Sequence, residues 1–206
     1  MRLQLYRNPD GEVCRTLGHQ IPTRAYRRIA DLEQDPLFLS YIQNTLFRKI
    51  TSFYIGQQVS IFRSMLMNKP SQLSQPLPWH QDVGVGWGID ANPIITVWPT
   101  LDDATVATGC MQIVPGSNQH GIINHGHFLS TEQVAIYAPM EKVISLEAEA
   151  GEAILLHNFL LHKSGINSTQ MSRRAFSVTY MSSETRTLDT GQTFPIVFGK
   201  NALDPT

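Results

Sequence analysis

The chain has 206 residues, a formal net charge of −1, 42% hydrophobic residues and 16% charged ones. That is enough length for a sizeable core in one domain, and the composition suits a buried globule and excludes a disordered chain. A charge this close to zero gives no electrostatic basis for binding nucleic acid or an anionic membrane surface.

No run approaches the length of a membrane span, and Met1-Arg2-Leu3-Gln4-Leu5 lacks a signal-peptide core. Cys14 and Cys110 are the only cysteines. Two cysteines make no disulfide framework, so a reducing, cytoplasmic setting is expected. Residues 1–20 read as an irregular arm, with a turn at Asn8-Pro9-Asp10-Gly11. Residues 22–33 read as a short helix with Ile29 and Leu32 inward. Asp35-Pro36 is a clearer helix start, with Asp as N-cap and Pro at the first helical position. Leu39, Ile42, Leu46 and Ile50 follow at helical spacing, which predicts one amphipathic helix over 36–50, packed outside a sheet.

From Phe53 to Met67 the period changes. Val59, Ile61, Met65 and Met67 alternate with Ser60, Phe62, Ser64 and Leu66, as in a largely buried strand. Residues 69–78, with three prolines, form a loop that delivers the chain to Pro78-Trp79-His80-Gln81-Asp82. In extended chain, His80 and Asp82 point to one face. Imidazole plus carboxylate is two thirds of the facial triad that holds non-haem Fe(II). Alone, the pair favours a core histidine hydrogen-bonded to an aspartate over a ligand pair. Glycines at 84, 86 and 88 suit a flexible flap beside a site; no helix start follows them, which argues against a phosphate loop.

Residues 94–101, carrying Trp98, and 109–114 read as strands. A turn lies at Asp102-Asp103-Ala104-Thr105 and another at Pro115-Gly116-Ser117. His120, His125 and His127 lie in polar, glycine-containing sequence and read as solvated loop histidines; their spacing lacks a zinc-ligand set. Strands are expected at 142–146, 153–156 and 175–181. Short strands with close turn signals predict a mainly β double-stranded β-helix, a cupin-like jelly roll, with flanking N-terminal helices. One domain spans 1–206: a helical part at 1–52, the jelly-roll core at 53–181 and a tail at 182–206 that packs back on the body.

A second histidine stands at the end of the apolar run Leu155–Leu161, in His162-Lys163-Ser164-Gly165-Ile166-Asn167, with Arg173 eleven residues further on. With it, four motifs stand in order: W-H-Q-D at 79–82, V-W-P-T-L-D-D-A-T at 97–105, G-C-M-Q-I-V-P-G-S at 109–117, and H-K-S-G-I-N-S with Arg173. Together they resemble the phytanoyl-CoA dioxygenase-like branch of the Fe(II)/2-oxoglutarate oxygenases, over roughly residues 60–181. The resemblance implies a dioxygenase that oxidises a small molecule, most often by hydroxylation. Its cofactors are Fe(II) and the co-substrates 2-oxoglutarate and O2, with release of succinate and CO2.

By the same resemblance, His80, Asp82 and His162 are the iron ligands. Arg173 binds the distal carboxylate of 2-oxoglutarate, Ser164 donates to that carboxylate, and Trp98 lines the co-substrate pocket. Asp82 argues against halogenation, since related halogenases lack the carboxylate. His157 competes with His162, Arg174 competes with Arg173, Trp98 can be core filling and Ser164 can cap a turn. On one strand only one of each pair can face the pocket; the H-x-S-G-x-N context and the spacing between the two motifs favour His162 and Arg173. Thr108-Gly109-Cys110 departs from the family's Asn-Gly-Cys, and Asn118 stands where many members have His. A short segment before the H-x-D leaves the site either more open or covered by a partner chain. The rival expectation is a non-catalytic metal-binding cupin-like sensor or scaffold. The sequence shows no basic cluster for a coenzyme A tail.

Overall fold

A computed structural model of the chain describes residues 2–5, 26–71 and 75–206. Two antiparallel sheets face each other. The major sheet runs β1 (Arg2–Leu5), β2 (Tyr26–Ala30), β3 (Val59–Lys69), β10 (Arg173–Ser182), β5 (Ile95–Pro99) and β8 (Ala153–His157), with β11 (Ile196–Phe198) also paired to β3. The minor sheet runs β4 (Leu77–His80), β9 (His162–Ser164), β6 (Met111–Ile113) and β7 (Ile144–Leu146). This is the expected jelly roll. The tail does pack back, through β11.

The major sheet carries its apolar core on its outer face. Ile95, Val97, Phe176, Val178 and Tyr180 pack there against Leu39, Ile42 and Phe47 from two helices, α1 (Pro36–Ile42) and α2 (Thr45–Tyr54). The buried Tyr180 hydroxyl donates to the Ile42 carbonyl at 2.9 Å, tying helix to sheet. Strand alternation then sends Arg173, Ala175, Ser177 and Thr179 to the opposite, inner face. Thr179 Oγ1 lies 2.8 Å from Thr96 Oγ1, and Thr96 donates to Asn158 Oδ1 at 3.0 Å, so buried polar atoms of this face are paired.

The single alternating face expected for residues 59–67 is corrected by a β-bulge. Arg63 pairs with Thr179 and Ile61 with Tyr180, so Phe62 is the extra residue. The bulge switches faces. Val59 and Ile61 join the helix-side core, whereas Arg63, Met65 and Met67 line the space between the sheets. β3 also begins later than expected, because Phe53 and Tyr54 end α2.

Three further expectations are corrected. The helix at 36–50 is two helices, because the Asn44 side chain accepts from Phe47 N at 2.9 Å and starts a new one. The break rotates the apolar face: Phe47 is buried, whereas Leu46 is 59% exposed. The helix at 22–33 is strand β2 followed by a single tight turn over Leu32–Gln34; residues 22–25 lie outside the described residues. Ile29 and Leu32 do point into the core. Pairing of Arg28, Ile29 and Ala30 with Met67, Leu66 and Met65 of β3 overrides the local helical signal. The arm contains β1, held to β2 and by the Arg2–Asp31 ion pair; the turn at 8–11 lies outside the described residues. The N-terminal part is therefore not purely helical.

Within 118–140, read as loop, α3 (Thr131–Tyr137) forms behind a capping box from Ser130 and Gln133. No helix among the described residues is long and apolar enough to cross a membrane.

Gly109 holds the chain where two segments touch. Its φ is +76°, and a Cβ there would lie 2.8 Å from the Gly165 carbonyl oxygen. Gly109→Ala is therefore expected to lower unfolding free energy by more than ~2 kcal/mol in urea denaturation, since a left-handed backbone alone costs ~1–2 kcal/mol; a loss below that range would refute the close-approach reading.

Candidate metal centre and pocket

The site forms where β4 and β9 pair. His80 is in register with His162, so two imidazoles project side by side into the space between the sheets, with ring centroids 4.1 Å apart. Asp82 follows just beyond the end of β4. Its backbone N–H donates to Asn158 O at 2.9 Å, and its carbonyl accepts from Asn158 Nδ2 at 3.2 Å. This double hold fixes the carboxylate beside both rings. Asp82 Oδ2 is 3.7 Å from His162 Nε2, and Oδ1 is 4.0 Å from His80 Nε2.

Between them, Gln81 faces the other way. It donates to Gly121 O and Phe159 O and accepts from Ile123 N, so it staples the neighbouring loops. Ser117 of the P-G-S motif accepts from Leu161 N at 2.9 Å, directly before His162.

Both histidines are held in one tautomer by their own backbone. His80 Nδ1 lies 2.8 Å from Pro78 O, and His162 Nδ1 lies 2.9 Å from Leu160 O. A carbonyl only accepts, so each Nδ1 carries a proton and each Nε2 is turned toward Asp82. Burial, then the neighbouring His162, pushes His80 down to about 3, so its ring is neutral. Burial raises the Asp82 carboxyl, but Arg63, His162 and His80 more than offset this, and it stays ionised. Two imidazoles and one carboxylate, all offering an atom within 4.8 Å of one another, form a donor set suited to a divalent cation. Ligand bonds of ~2.0–2.2 Å place adjacent donors ~3 Å apart, so small side-chain movements close the set around an ion.

The pocket extends away from these donors along the inner face of the major sheet. Arg173 lies at one end, buried, with its guanidinium carbon 5.2 Å over the Trp98 ring and Nη2 donating to Gly109 O at 2.9 Å. Ser164 shares the face of His162 two residues earlier on β9 and lines the same pocket. The structure thus brings His80, Asp82, His162, Ser164, Trp98 and Arg173 around one space. It also separates the competitors. Arg174 turns outward and grips Asp102 at 2.8 and 2.7 Å. His157 ends β8 of the other sheet and is exposed. The parity argument for His162 assumed one strand; a turn and a change of sheet separate the two histidines instead.

Several site residues have no counterpart in the motifs. Arg63 Nη2 binds Asp82 Oδ1 at 2.8 Å, and its guanidinium sits 4.7 Å over Trp87, which stacks on Phe62 at 4.9 Å. The segment read as a flexible flap is thereby packed through Trp87. A charged residue inside the strand-like run 59–67 was the available signal. His120 and His125 are exposed as expected, but His127 is half-buried in the pocket wall, 5.0 Å from His80. Thr108, in place of the family's Asn, still closes its turn by accepting from Thr105 N and donating to Asp103 O.

The fold and the cluster define a jelly-roll protein with a candidate metal centre between its sheets. Comparison with known proteins gives the family: the model described as phytanoyl-CoA dioxygenase (PhyH) matches residues 10–175, and the chain belongs to that family. A probable phytanoyl-CoA dioxygenase of Caenorhabditis elegans is 28% identical over 170 residues, 76% of this chain and 54% of that protein. The peroxisomal phytanoyl-CoA dioxygenase of Mus musculus is 25% identical over 82% of this chain and 53% of its own length. The chain spans about half the length of these curated relatives. Among solved structures, EctD from S. alaskensis with 2-oxoglutarate and 5-hydroxyectoine superposes with a TM-score of 0.70 at 19% identity, over 89% of this chain and 67% of that one. That likeness establishes the fold.

Lys69 gives a prediction specific to this site. It lies opposite Arg173 in the β3–β10 register, is buried, and donates to Gln75 O and Gly165 O. Burial, then the Arg173 and Arg27 charges, pushes it down to about 8. The unfolded chain keeps that proton to about pH 10.4. As pH rises above 8 the fold releases a proton that the unfolded chain retains, so stability from this group increases, by up to ~1.4 kcal/mol per pH unit. Lys69→Met is expected to remove this rise when urea unfolding is compared between pH 8 and 10; equal slopes in the two proteins would refute the assignment.

Proposed function

We propose that residues 1–206 form a single Fe(II)- and 2-oxoglutarate-dependent dioxygenase domain that oxidises a small-molecule substrate, by hydroxylation, with release of succinate and CO2. The observation that carries this reading is the convergence of three donors at a pocket whose far end holds a buried arginine. His80, Asp82 and His162 are the metal ligands in this reading. When bound, the iron supplies the oxidative chemistry, in which 2-oxoglutarate and O2 are consumed and one oxygen atom goes to the substrate.

The chain's own residues bind and orient. The Nε2 atoms of His80 and His162 face the centre because Pro78 O and Leu160 O hold the Nδ1 side of each ring. Asp82 supplies the carboxylate, which occupies the position a halide would need. Arg173 meets the distal carboxylate of 2-oxoglutarate, a charge-assisted contact inside a water-poor pocket. Ser164 donates to that carboxylate, and Trp98 closes the wall against which Arg173 stacks. The inner-face apolar side chains Met65, Met67 and Leu156 keep water from the reacting atoms. A cytoplasmic location goes with this reading, supported by the buried free thiol of Cys110.

The test is anaerobic addition of Fe(II) and then 2-oxoglutarate, with the visible spectrum recorded. A weak charge-transfer band that needs both is expected, and His162→Ala should abolish both the band and succinate formation. Iron binding without the band would instead favour a non-catalytic metal-binding module. Arg173→Ala should raise the 2-oxoglutarate concentration for half-maximal band by ~tenfold or more; an unchanged requirement would remove Arg173 from this role.

A further inference from the structure

Four arginines line the pocket, Arg27 and Arg28 from β2, Arg63 from β3 and Arg173 from β10, together with Lys163 of β9. One carboxylate, Asp82, lines it with them. The charges do not cancel when the site is filled as proposed above, since a divalent iron and a doubly charged 2-oxo acid neutralise each other. Arg63 is already engaged by Asp82, and Arg173 by its role toward the co-substrate. Arg27 and Arg28 have no hydrogen-bonded or ion-paired carboxylate among the described residues. The nearest acid on their strand's exit, Asp31, has both oxygens held by Arg2.

The placement is fixed by register. Arg28 lies opposite Met67 of β3, and Arg63 lies four residues away on the same inner face of that strand. Desolvation, then repulsion by Arg27, Arg63 and Arg2, outweighs the attraction of Asp31 and depresses the Arg28 guanidinium, although the residue as a whole is solvent-exposed. Gathering like charges without a counter-ion is unfavourable, and a bound anion relieves it. Apolar side chains, Met65, Met67 and Phe128, line the same pocket.

We infer that Arg27 and Arg28 form an anion seat for the prime substrate, which is a small molecule with an apolar body and a carboxylate or phosphate group held at the β2 side of the mouth. This inference rests on the oxygenase reading of the same site. It places the substrate's charged end on β2 and its oxidised carbon toward His80, Asp82 and His162. Arg27 and Arg28 are adjacent in the sequence, and the pairing of β2 with β3 brings them to the pocket that Arg63 also lines.

The test uses three probes of similar size: phenyl phosphate, benzoate and the neutral benzamide. Each is titrated calorimetrically into the anaerobic protein loaded with Fe(II) and 2-oxoglutarate, and into the metal-free protein. At least one anionic probe is expected to bind ~tenfold or more tightly than benzamide. Tighter phenyl phosphate identifies a phosphoryl group, and tighter benzoate a carboxylate. Arg28→Gln and Arg27→Gln should each weaken the anionic probe severalfold and abolish the preference together. Lys49→Gln, exposed on α2 away from the pocket, should not.

Equal affinities for the three probes, no anion binding, or unchanged binding in the double variant would overturn the seat. So would a double variant that needs more 2-oxoglutarate to develop the visible band, since the arginines would then serve the co-substrate. The same samples separate the two proposals. The band without anion preference overturns only the seat; anion preference without the band upholds the seat and overturns the oxygenase reading.

Discussion

The site depends on the pairing of His80 with His162 across β4 and β9. These residues are far apart in sequence, and each stands at the terminus of a short strand. Antiparallel register alone sets their rings side by side, and a shift of one residue would send one of them to the other face of the sheet. The contacts around them resist such a shift. Ser117 holds Leu161 just before β9, Asn158 holds Asp82 just after β4, and Gln81 clamps loops on the far side. The donors are thus located by neighbours whose own polar atoms are satisfied, and the backbone carbonyls of Pro78 and Leu160 decide which nitrogen each ring presents.

The major sheet separates stability from chemistry by face. Its outer side buries Ile95, Val97, Phe176, Val178 and Tyr180 beneath α1 and α2, where apolar area is removed from water. Its inner side tolerates Thr96, Ser177, Thr179, Arg173 and Arg63. β10 shows the division most directly, since alternate residues serve the two sides without exception from Arg173 to Tyr180. β3 needs the bulge at Phe62 to do the same, because its first half supplies core and its second half supplies pocket.

Much of this was legible in the sequence, for physical reasons that differ by element. The H-x-D pair, His162, Ser164, Trp98 and Arg173 could be placed because they sit in local motifs with characteristic spacing. β5 and β10 could be placed because strand period 2 is strong in apolar runs. What escaped depended on partners distant in the chain. β2 looks helical until it meets β3. The break at Asn44 was readable as a cap, but the apolar period ran through it. The capping box at Ser130 and Gln133 was present in the sequence and masked by polar, histidine-containing surroundings. Arg63 stood in a strand whose bulge could not be inferred from its own side chains. His127 entered the pocket through a loop whose path follows no period. The choice of Arg173 over Arg174 followed from spacing, and Asp102 supplies a separate physical reason by holding Arg174 outside.

β2 sits outside the strands that carry the candidate metal ligands. It is anchored to β3 through three register pairs and to β1 on its other side. The donors come from β4, its immediate sequel and β9 in the opposite sheet. The β2 wall of the pocket and the candidate centre are therefore built on separate parts of the scaffold. In evolutionary terms, such a chain can exchange the side chains of one peripheral strand, and so reshape one wall of its pocket, while the candidate metal centre stays untouched.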